Sequence, residues 1–173
     1  MKISNLMILV LFAASLALGD EAQPTPIKNP EIDMTGYLRV AERAADHRDS
    51  RRLTEVEFIR MSREKGTIVL DARSQRKFDE LHVNGAINLS FPDITIESLA
   101  QTIPDRSTRI LIYCNNNFVN AKAFPSKLPS ASLNLSTYIA LFNYGYKNVF
   151  ELGPLLDVGT TKIELVSSQP RDQ

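Results

Sequence analysis

The sequence contains one cysteine, Cys114, and two histidines, His47 and His82, in 173 residues. A single cysteine cannot form an internal disulfide, so the fold has to be stabilised by its hydrophobic core. With so few Cys and His side chains, a closed metal site would need carboxylates from scattered positions. We therefore predict neither a disulfide nor a metal site.

The sequence also lacks an excess of positive or negative charge, and it lacks the common cofactor motifs. Twenty basic residues balance twenty acidic residues, so the overall charge gives no argument for binding nucleic acid, an anionic membrane or an acidic substrate. The sequence has no GxGxxG, GxxxxGK[ST], HExxH, GxSxG or CxxC motif. Nucleotide-binding and metallohydrolase functions thus have no local support, and we predict no cofactor and no nucleic-acid partner.

The apolar run near the N-terminus is short. It covers residues 6–18 after Lys2, and Ala17-Leu18-Gly19 places small residues where a signal peptidase cleaves. The alternative is an uncleaved membrane anchor, but a spanning helix needs roughly 20 apolar residues. We predict a signal peptide at 1–19, a periplasmic or secreted mature protein, and no membrane association after cleavage.

A linker and a helix are predicted next. Residues 20–33 contain three prolines among polar residues, which is typical of a flexible tether. Over residues 34–46, apolar side chains recur at helical spacing, which predicts an N-terminal helical segment within 34–52. The basic group Arg48, Arg51 and Arg52 is interpreted as a solvated turn, with an anion site as the alternative.

Helix and strand patterns alternate from residue 53 onwards. Thr54 and Glu57 have capping-box spacing and predict a helix that starts at Thr54. Thr95 is predicted to cap a second helix, and Ser136 a third that ends at Gly145. Short apolar runs predict strands at 67–71, 86–89, 109–113 and 148–152. We interpret 53–158 as the domain and 159–173 as a C-terminal tail.

This alternation predicts an α/β fold with an open, mostly parallel sheet and helices on both faces. Ligands of such folds bind where loops leave the carboxyl ends of the strands. Cys114 lies at the end of the strongest predicted strand. Its surroundings are therefore the first place to look for chemistry.

A long polar segment, residues 115–135, follows Cys114. Pro125 and Pro129 exclude a continuous helix there, and structureless loops of this length are often functional. Successive backbone amides after Cys114 can form a nest that holds an anion over the sulfur and stabilises the thiolate, which is the nucleophile. The alternative is that Cys114 is a small buried hydrophobe at a strand end.

Several segments together resemble the rhodanese domain in order and spacing over roughly residues 54–158. They are Val-Leu-Asp-Ala-Arg-Ser at 69–74, Phe78, His-Val-Asn-Gly-Ala-Ile-Asn-Leu at 82–89, Ile-Leu-Ile-Tyr-Cys at 110–114, Gly-Tyr-Lys-Asn-Val at 145–149 and Leu-Gly at 152–153. The Cys-Asn-Asn-Asn-Phe loop and the Glu-Leu-Gly-Pro-Leu-Leu-Asp ending look like a branch of exported bacterial rhodanese-like proteins.

The resemblance implies a sulfurtransferase in which Cys114 accepts a sulfane sulfur as a persulfide and passes it to a thiol or cyanide. The loop would hold the donor, a small sulfur-containing anion. The implied binding residues are Asn115, Asn116, Asn117, Phe118, Val119 and Asn120. The resemblance also implies structural roles for Asp71, Arg73 and His82 beside the first strands.

The loop departs from the family's pattern, because it has neither Gly nor Arg and is not followed directly by a predicted helix. Asn120 cannot replace the Arg of the Cys-x5-Arg phosphatases and arsenate reductases. Lys122 or Lys127 is either a substitute cation or a solvated lysine, and Phe118 either lines an apolar rim or pins the loop to the core.

The alternatives to a sulfurtransferase are a redox-responsive binding module of the cell envelope and a catalytically silent scaffold.

Overall fold

The computed structural model describes Ile27 and residues 29–168. The predicted signal peptide, residues 20–26, residue 28 and residues 169–173 lie outside the described residues. The chain divides into two units, Met1–Asp33 and Met34–Gln173. In the described part of the first unit, the backbone N–H of Glu31 donates to the Asn29 side chain at 3.0 Å. The helices and strands of the described residues all belong to the second unit.

Helices and strands alternate along the second unit, as the sequence predicts. The helices are α1 (Met34–Arg48), α2 (Glu55–Ser62), α3 (Gln75–Glu80), α4 (Ile96–Thr102) and α5 (Leu133–Asn143). The strands are β1 (Arg52–Leu53), β2 (Thr67–Asp71), β3 (His82–Val83), β4 (Ile87–Asn88), β5 (Arg109–Tyr113), β6 (Phe118–Val119), β7 (Val149–Leu152), β8 (Leu156–Asp157) and β9 (Leu165–Val166). Short 3-10 helices cover Asp49–Arg51, Phe91–Asp93, Asn115–Asn117 and Pro129–Ala131.

The central sheet has the strand order β1-β7-β5-β2-β4, and every neighbouring pair is parallel. In β5, Ile110 and Ile112 pack in one core cluster with residues of α1, α4 and α5. Leu111 and Tyr113 pack in a second cluster with residues of α2. Because alternate residues of a strand face opposite sides of a sheet, these two clusters place helices on both faces. The predicted α/β fold is confirmed.

Two predicted helix starts are also confirmed. The backbone N–H of Glu57 donates to Thr54 Oγ1 at 3.3 Å, and the Glu57 carboxylate accepts from the backbone N–H of Thr54 at 2.8 Å. Thr95 and Ser98 form the same reciprocal pair at the start of α4. Gly145, with a φ of +93°, follows α5, and this left-handed conformation favours glycine at the end of a helix.

Two predictions for the second half of the chain are wrong. Ser132, rather than Ser136, occupies the N-cap of α5, because the 3-10 turn Pro129–Ala131 runs directly into the helix. The predicted tail, residues 159–173, is not a simple tail over its described part, since β9 pairs with β3. Ile163 in this segment is 5% exposed. Strands of two residues carry no periodic pattern, so the sequence gives no signal for them.

Helix α1 packs against α5 through His47. Its Nδ1 lies 2.8 Å from the Tyr138 hydroxyl, and its ring centroid lies 5.1 Å from that of Phe142. Burial, followed by the positive charges of Arg51 and Lys147, lowers the pKa of His47 below its ordinary 6.5. Because the folded state resists protonation of His47, the neutral ring contributes stability above pH 6.5. This stability is lost as the pH falls through the lowered pKa.

We expect the free energy of unfolding of the wild type to fall more steeply than that of His47→Gln between about pH 7 and about pH 5, since glutamine does not titrate. Urea unfolding at several pH values measures the two slopes. Parallel pH profiles for the two proteins would contradict the prediction.

Candidate functional site

Cys114 lies directly after β5, at the edge of the sheet where β2, β5 and β7 all end. The backbone N–H of Cys114 donates to Asn117 Oδ1 at 2.9 Å. The backbone N–H of Asn117 donates to the Cys114 carbonyl oxygen at 3.1 Å and faces the Cys114 side chain. Asn117 thereby folds the turn Asn115–Asn117 onto the sulfur.

The sulfur of Cys114 is enclosed. Cys114 is 1% exposed, and the hydroxyl of Ser132 lies 3.4 Å from Sγ. The Asn117 N–H and the Ser132 hydroxyl can both donate to the sulfur, and donors of this kind stabilise an anion. The site can therefore hold a thiolate or a persulfide anion. It differs from the open nest of amides that the sequence suggests, because a substrate reaches Sγ only after a covering group moves.

Two cavities flank the cysteine turn. The first, of about 350 Å³, is the Arg52 cleft, whose walls include Arg48, Arg52, Asn116, Ser132, Asn134 and Glu151. The second, of about 410 Å³, is the Lys127 cleft, whose walls include Arg73, Lys77, Asn115 and Lys127. Lys127, one of the two proposed substitute cations, thus lies beside the turn. Lys122, the other, is exposed and lines neither cavity.

The three asparagines of the turn stay close to the sulfur. Asn117 Nδ2 donates to the Leu152 carbonyl oxygen at 2.7 Å and so anchors the turn to β7. Asn116 exchanges two hydrogen bonds with the backbone of Lys127, at 2.8 and 3.3 Å. Asn115 is 6% exposed, and its Oδ1 is buried with no hydrogen-bond partner among the described residues. These residues line the two clefts.

The other three predicted binding residues lead away from the turn. Phe118 is 0% exposed and belongs to the core, because a large aromatic side chain gains more from burial than from a place at a rim. Val119 pairs with Asp157 in the small β6–β8 sheet. Asn120, with a φ of +65°, donates from Nδ2 to Asp157 Oδ2 at 2.7 Å. None of the three lines either cleft.

A buried network beneath the loop joins Asp71, Arg73 and Tyr113. The Asp71 carboxylate accepts from Arg73 Nη2 and from the Tyr113 hydroxyl, each at 2.6 Å. Burial, followed by the charge and hydrogen bond of Asp71, raises the pKa of Tyr113 well above its ordinary value. Burial alone would lower the pKa of Arg73, but the hydrogen bonds and charge of Asp71 raise it. Arg73 also donates to the Ala123 carbonyl oxygen at 3.3 Å and packs over the Phe124 ring.

This network holds the loop to the sheet, which confirms the predicted structural roles of Asp71 and Arg73. His82 is likewise structural. It is 6% exposed, its ring stacks on that of Phe78 at 3.7 Å, and its Nδ1 lies 2.7 Å from the Phe78 carbonyl oxygen.

Several residues that surround the sulfur are not predicted from the sequence. Ser132 and Asn134 come from the start of α5, and their only sequence signal is a Ser in position to cap that helix. Arg48 is not part of a solvated turn, because it forms an ion pair with Glu151, which is 2% exposed. The partner lies 103 residues away along the chain, so no local pattern reveals this pair.

The described residues, Ile27 and 29–168, contain no group of three or more His, Cys, Asp or Glu side chains that could hold a metal ion. Within that same part of the chain, no helix combines the length and the hydropathy needed to cross a membrane.

Known proteins resemble this chain over its second unit. A family model described as the rhodanese-like domain matches residues 54–152. The thiosulfate sulfurtransferase PspE of Escherichia coli K12 is 25% identical over 95 residues, which cover 55% of this chain and 77% of that protein.

Two solved structures are also similar to this chain, and the first of them agrees with that match in fold. The thiosulfate sulfurtransferase of Pseudomonas aeruginosa is 18% identical, with a TM-score of 0.51, over 78% of this chain and 23% of the other. The BH2092 protein of Bacillus halodurans is 19% identical, with a TM-score of 0.49, over 76% of this chain and 87% of the other. At 18% identity the Pseudomonas structure speaks for the fold alone, whereas the family match covers more than half of the chain. The chain belongs to the rhodanese-like domain family.

Proposed function

We propose that this protein is a sulfurtransferase that carries sulfane sulfur as a persulfide on Cys114. The main support is the position of Sγ at the end of the middle strand, where it faces the N–H of Asn117 and the hydroxyl of Ser132. Similarity to PspE, a thiosulfate sulfurtransferase, supports thiosulfate or a related small anion as the donor. A thiol is the proposed acceptor. The pattern of residues 1–19 supports the periplasm or the exterior as the compartment.

The reaction has two displacement steps. In the first, the Cys114 thiolate attacks the outer sulfur of thiosulfate, the S–S bond of thiosulfate breaks, and sulfite leaves with the electron pair. In the second, an acceptor thiolate attacks the terminal sulfur of the persulfide, and the Cys114 thiolate leaves. Asn117 and Ser132 can stabilise the negative charge on Sγ before the first step and after the second.

Access to the sulfur requires movement of the segment in front of α5. Residues 125–131 are all exposed, and they lead directly to Ser132, the residue in contact with Sγ. A segment with few buried contacts opens at low free-energy cost. We infer that the donor enters when this segment and Ser132 shift away from the sulfur.

A non-catalytic or redox-responsive binding module is the second candidate. It is favoured by the 1% exposure of Cys114 and by the lack of a cationic side chain in residues 115–120. In that case the exposed segment 125–131 would contact a partner, and the buried sulfur would only fill the strand end.

Mass spectrometry of the intact protein after incubation with thiosulfate separates the two candidates. We expect the wild type to gain roughly 32 Da, the mass of one sulfur, because the thiolate is the nucleophile. Cys114→Ser should gain nothing, and since Cys114 is the only cysteine, this variant retains no other thiol. If neither thiosulfate nor polysulfide adds sulfur to the wild type, the sulfurtransferase proposal fails and the binding module remains.

A further inference from the structure

The Arg52 cleft carries an excess of positive charge. Glu151, which is 2% exposed, accepts from Arg48 Nε at 2.7 Å and from Arg52 Nε at 3.2 Å. One carboxylate therefore faces two guanidinium groups, which leaves one positive charge uncompensated among these three residues. The side chain of Arg52 is 50% exposed, and its Nη2 donates to the Gly153 carbonyl oxygen at 3.2 Å. A ligand with a single negative charge fits this balance.

Asn134 adds an unused acceptor to the same cleft. It is 6% exposed, and its Nδ2 donates to Asn117 Oδ1 at 3.0 Å, which fixes the orientation of the amide. Its Oδ1 is buried with no hydrogen-bond partner among the described residues. Buried polar atoms are normally hydrogen-bonded. A ligand N–H would satisfy this oxygen once Ser132 and residues 125–131 shift away, which is the movement that also opens the sulfur.

The cleft also borders the residue that covers the candidate nucleophile. Ser132 lies on its wall, and the Ser132 hydroxyl is 3.4 Å from Cys114 Sγ. The first turn of α5 lines the cleft through Asn134 and contains no acidic residue, so the positive end of the helix dipole is not neutralised there. A molecule that occupies the cleft is therefore placed beside the sulfur, with its anionic group near positive charge.

We propose that the Arg52 cleft binds the sulfur acceptor, a low-molecular-weight thiol with one carboxylate next to an amide N–H. The carboxylate contacts Arg52, the N–H donates to Asn134 Oδ1, and the thiol points towards Ser132 and the persulfide. A volume of about 350 Å³ suits a ligand of this size. This assignment rests on the proposed sulfurtransferase function. Arg48 and Arg52 precede the matched residues 54–152, so the positive charge that would contact the carboxylate comes from outside the matched residues.

Isothermal titration with N-acetylcysteine tests the cleft without sulfur transfer, because no donor is present. We expect Arg52→Gln to raise the Kd about tenfold or more, the effect of losing one charge-assisted hydrogen bond. Arg51→Gln is the matched control, since it removes the same charge one residue away. Arg51 lies over the Phe150 ring at 4.8 Å and is not part of the cleft wall. The Kd of the Arg51→Gln variant for N-acetylcysteine should stay within about twofold of the wild-type value.

Two further measurements complete the test. Asn134→Ala should also weaken binding, and the neutral methyl ester of N-acetylcysteine should bind the wild type about tenfold more weakly than the acid. Equal affinity for acid and ester, or an unchanged Kd in Arg52→Gln, would overturn the site. If the wild type forms a persulfide but shows no such binding, the site is wrong and the sulfurtransferase proposal stands. Binding without persulfide formation would overturn the acceptor role together with the sulfurtransferase proposal.

Discussion

Asp71→Ala is expected to lower the free energy of unfolding by about 3–5 kcal/mol, the usual cost of removing one partner of a buried ion pair. Asp71 is 0% exposed and Arg73 is 2% exposed, so the substitution leaves a guanidinium charge inside the protein. It also removes the acceptor of the Tyr113 hydroxyl. Urea unfolding of the wild type and the variant measures the difference.

Arg76→Ala is the control for this experiment. Arg76 pairs with Glu80 one helical turn away, but its side chain is 71% exposed. Exposed pairs of this kind contribute only about 0.3–0.5 kcal/mol. A loss of less than about 1 kcal/mol in Asp71→Ala would mean that the network is not what holds the loop, since isolated hydrogen bonds are worth about that much.

The sequence predicts the central part of the fold because the signals there are local. The runs at 67–71 and 109–113 correspond to β2 and β5, and the two capping boxes mark the starts of α2 and α4. Each of these patterns lies within a few consecutive residues. The strands β8 and β9 have two residues each, which is too short for any periodicity, and only their pairing with β6 and β3 defines them.

The candidate site is likewise predictable only where its signals lie in neighbouring residues. The sequence predicts that Cys114 lies at a strand end and that the turn after it contacts the site, because both follow from adjacent residues. It leaves open whether the sulfur is covered. The cover comes from Ser132, 18 residues further along, and from the way in which Asn117 accepts from the Cys114 N–H and folds back over it. The ion pair between Arg48 and Glu151 depends in the same way on chain segments that meet only after folding.

The burial of Phe118 decides whether this residue lines an apolar rim or pins the loop to the core. The residue is 0% exposed. Its ring centroid lies 4.6 Å from that of Phe124 and 6.0 Å from that of Tyr113 in an edge-on arrangement. Such a residue fills the core beneath the loop. Phe118→Ala should lower the free energy of unfolding by about 3–5 kcal/mol, since it removes apolar contacts and leaves a cavity.

Leu128→Ala is the comparison for Phe118→Ala, because it also removes apolar atoms from the long segment but at a side chain that is 75% exposed. Its effect on stability should stay within about 0.5 kcal/mol. Thermal and urea unfolding measure the stability of both variants. The thiosulfate concentration that half-saturates persulfide formation measures donor binding. Together they show whether Phe118 belongs to the core or lines a rim that contacts the donor. If Phe118→Ala keeps wild-type stability but needs far more thiosulfate, Phe118 contacts the donor and the packing argument is wrong. If stability falls as expected, Phe118 anchors the loop that carries Asn115, Asn116 and Asn117 beside the sulfur.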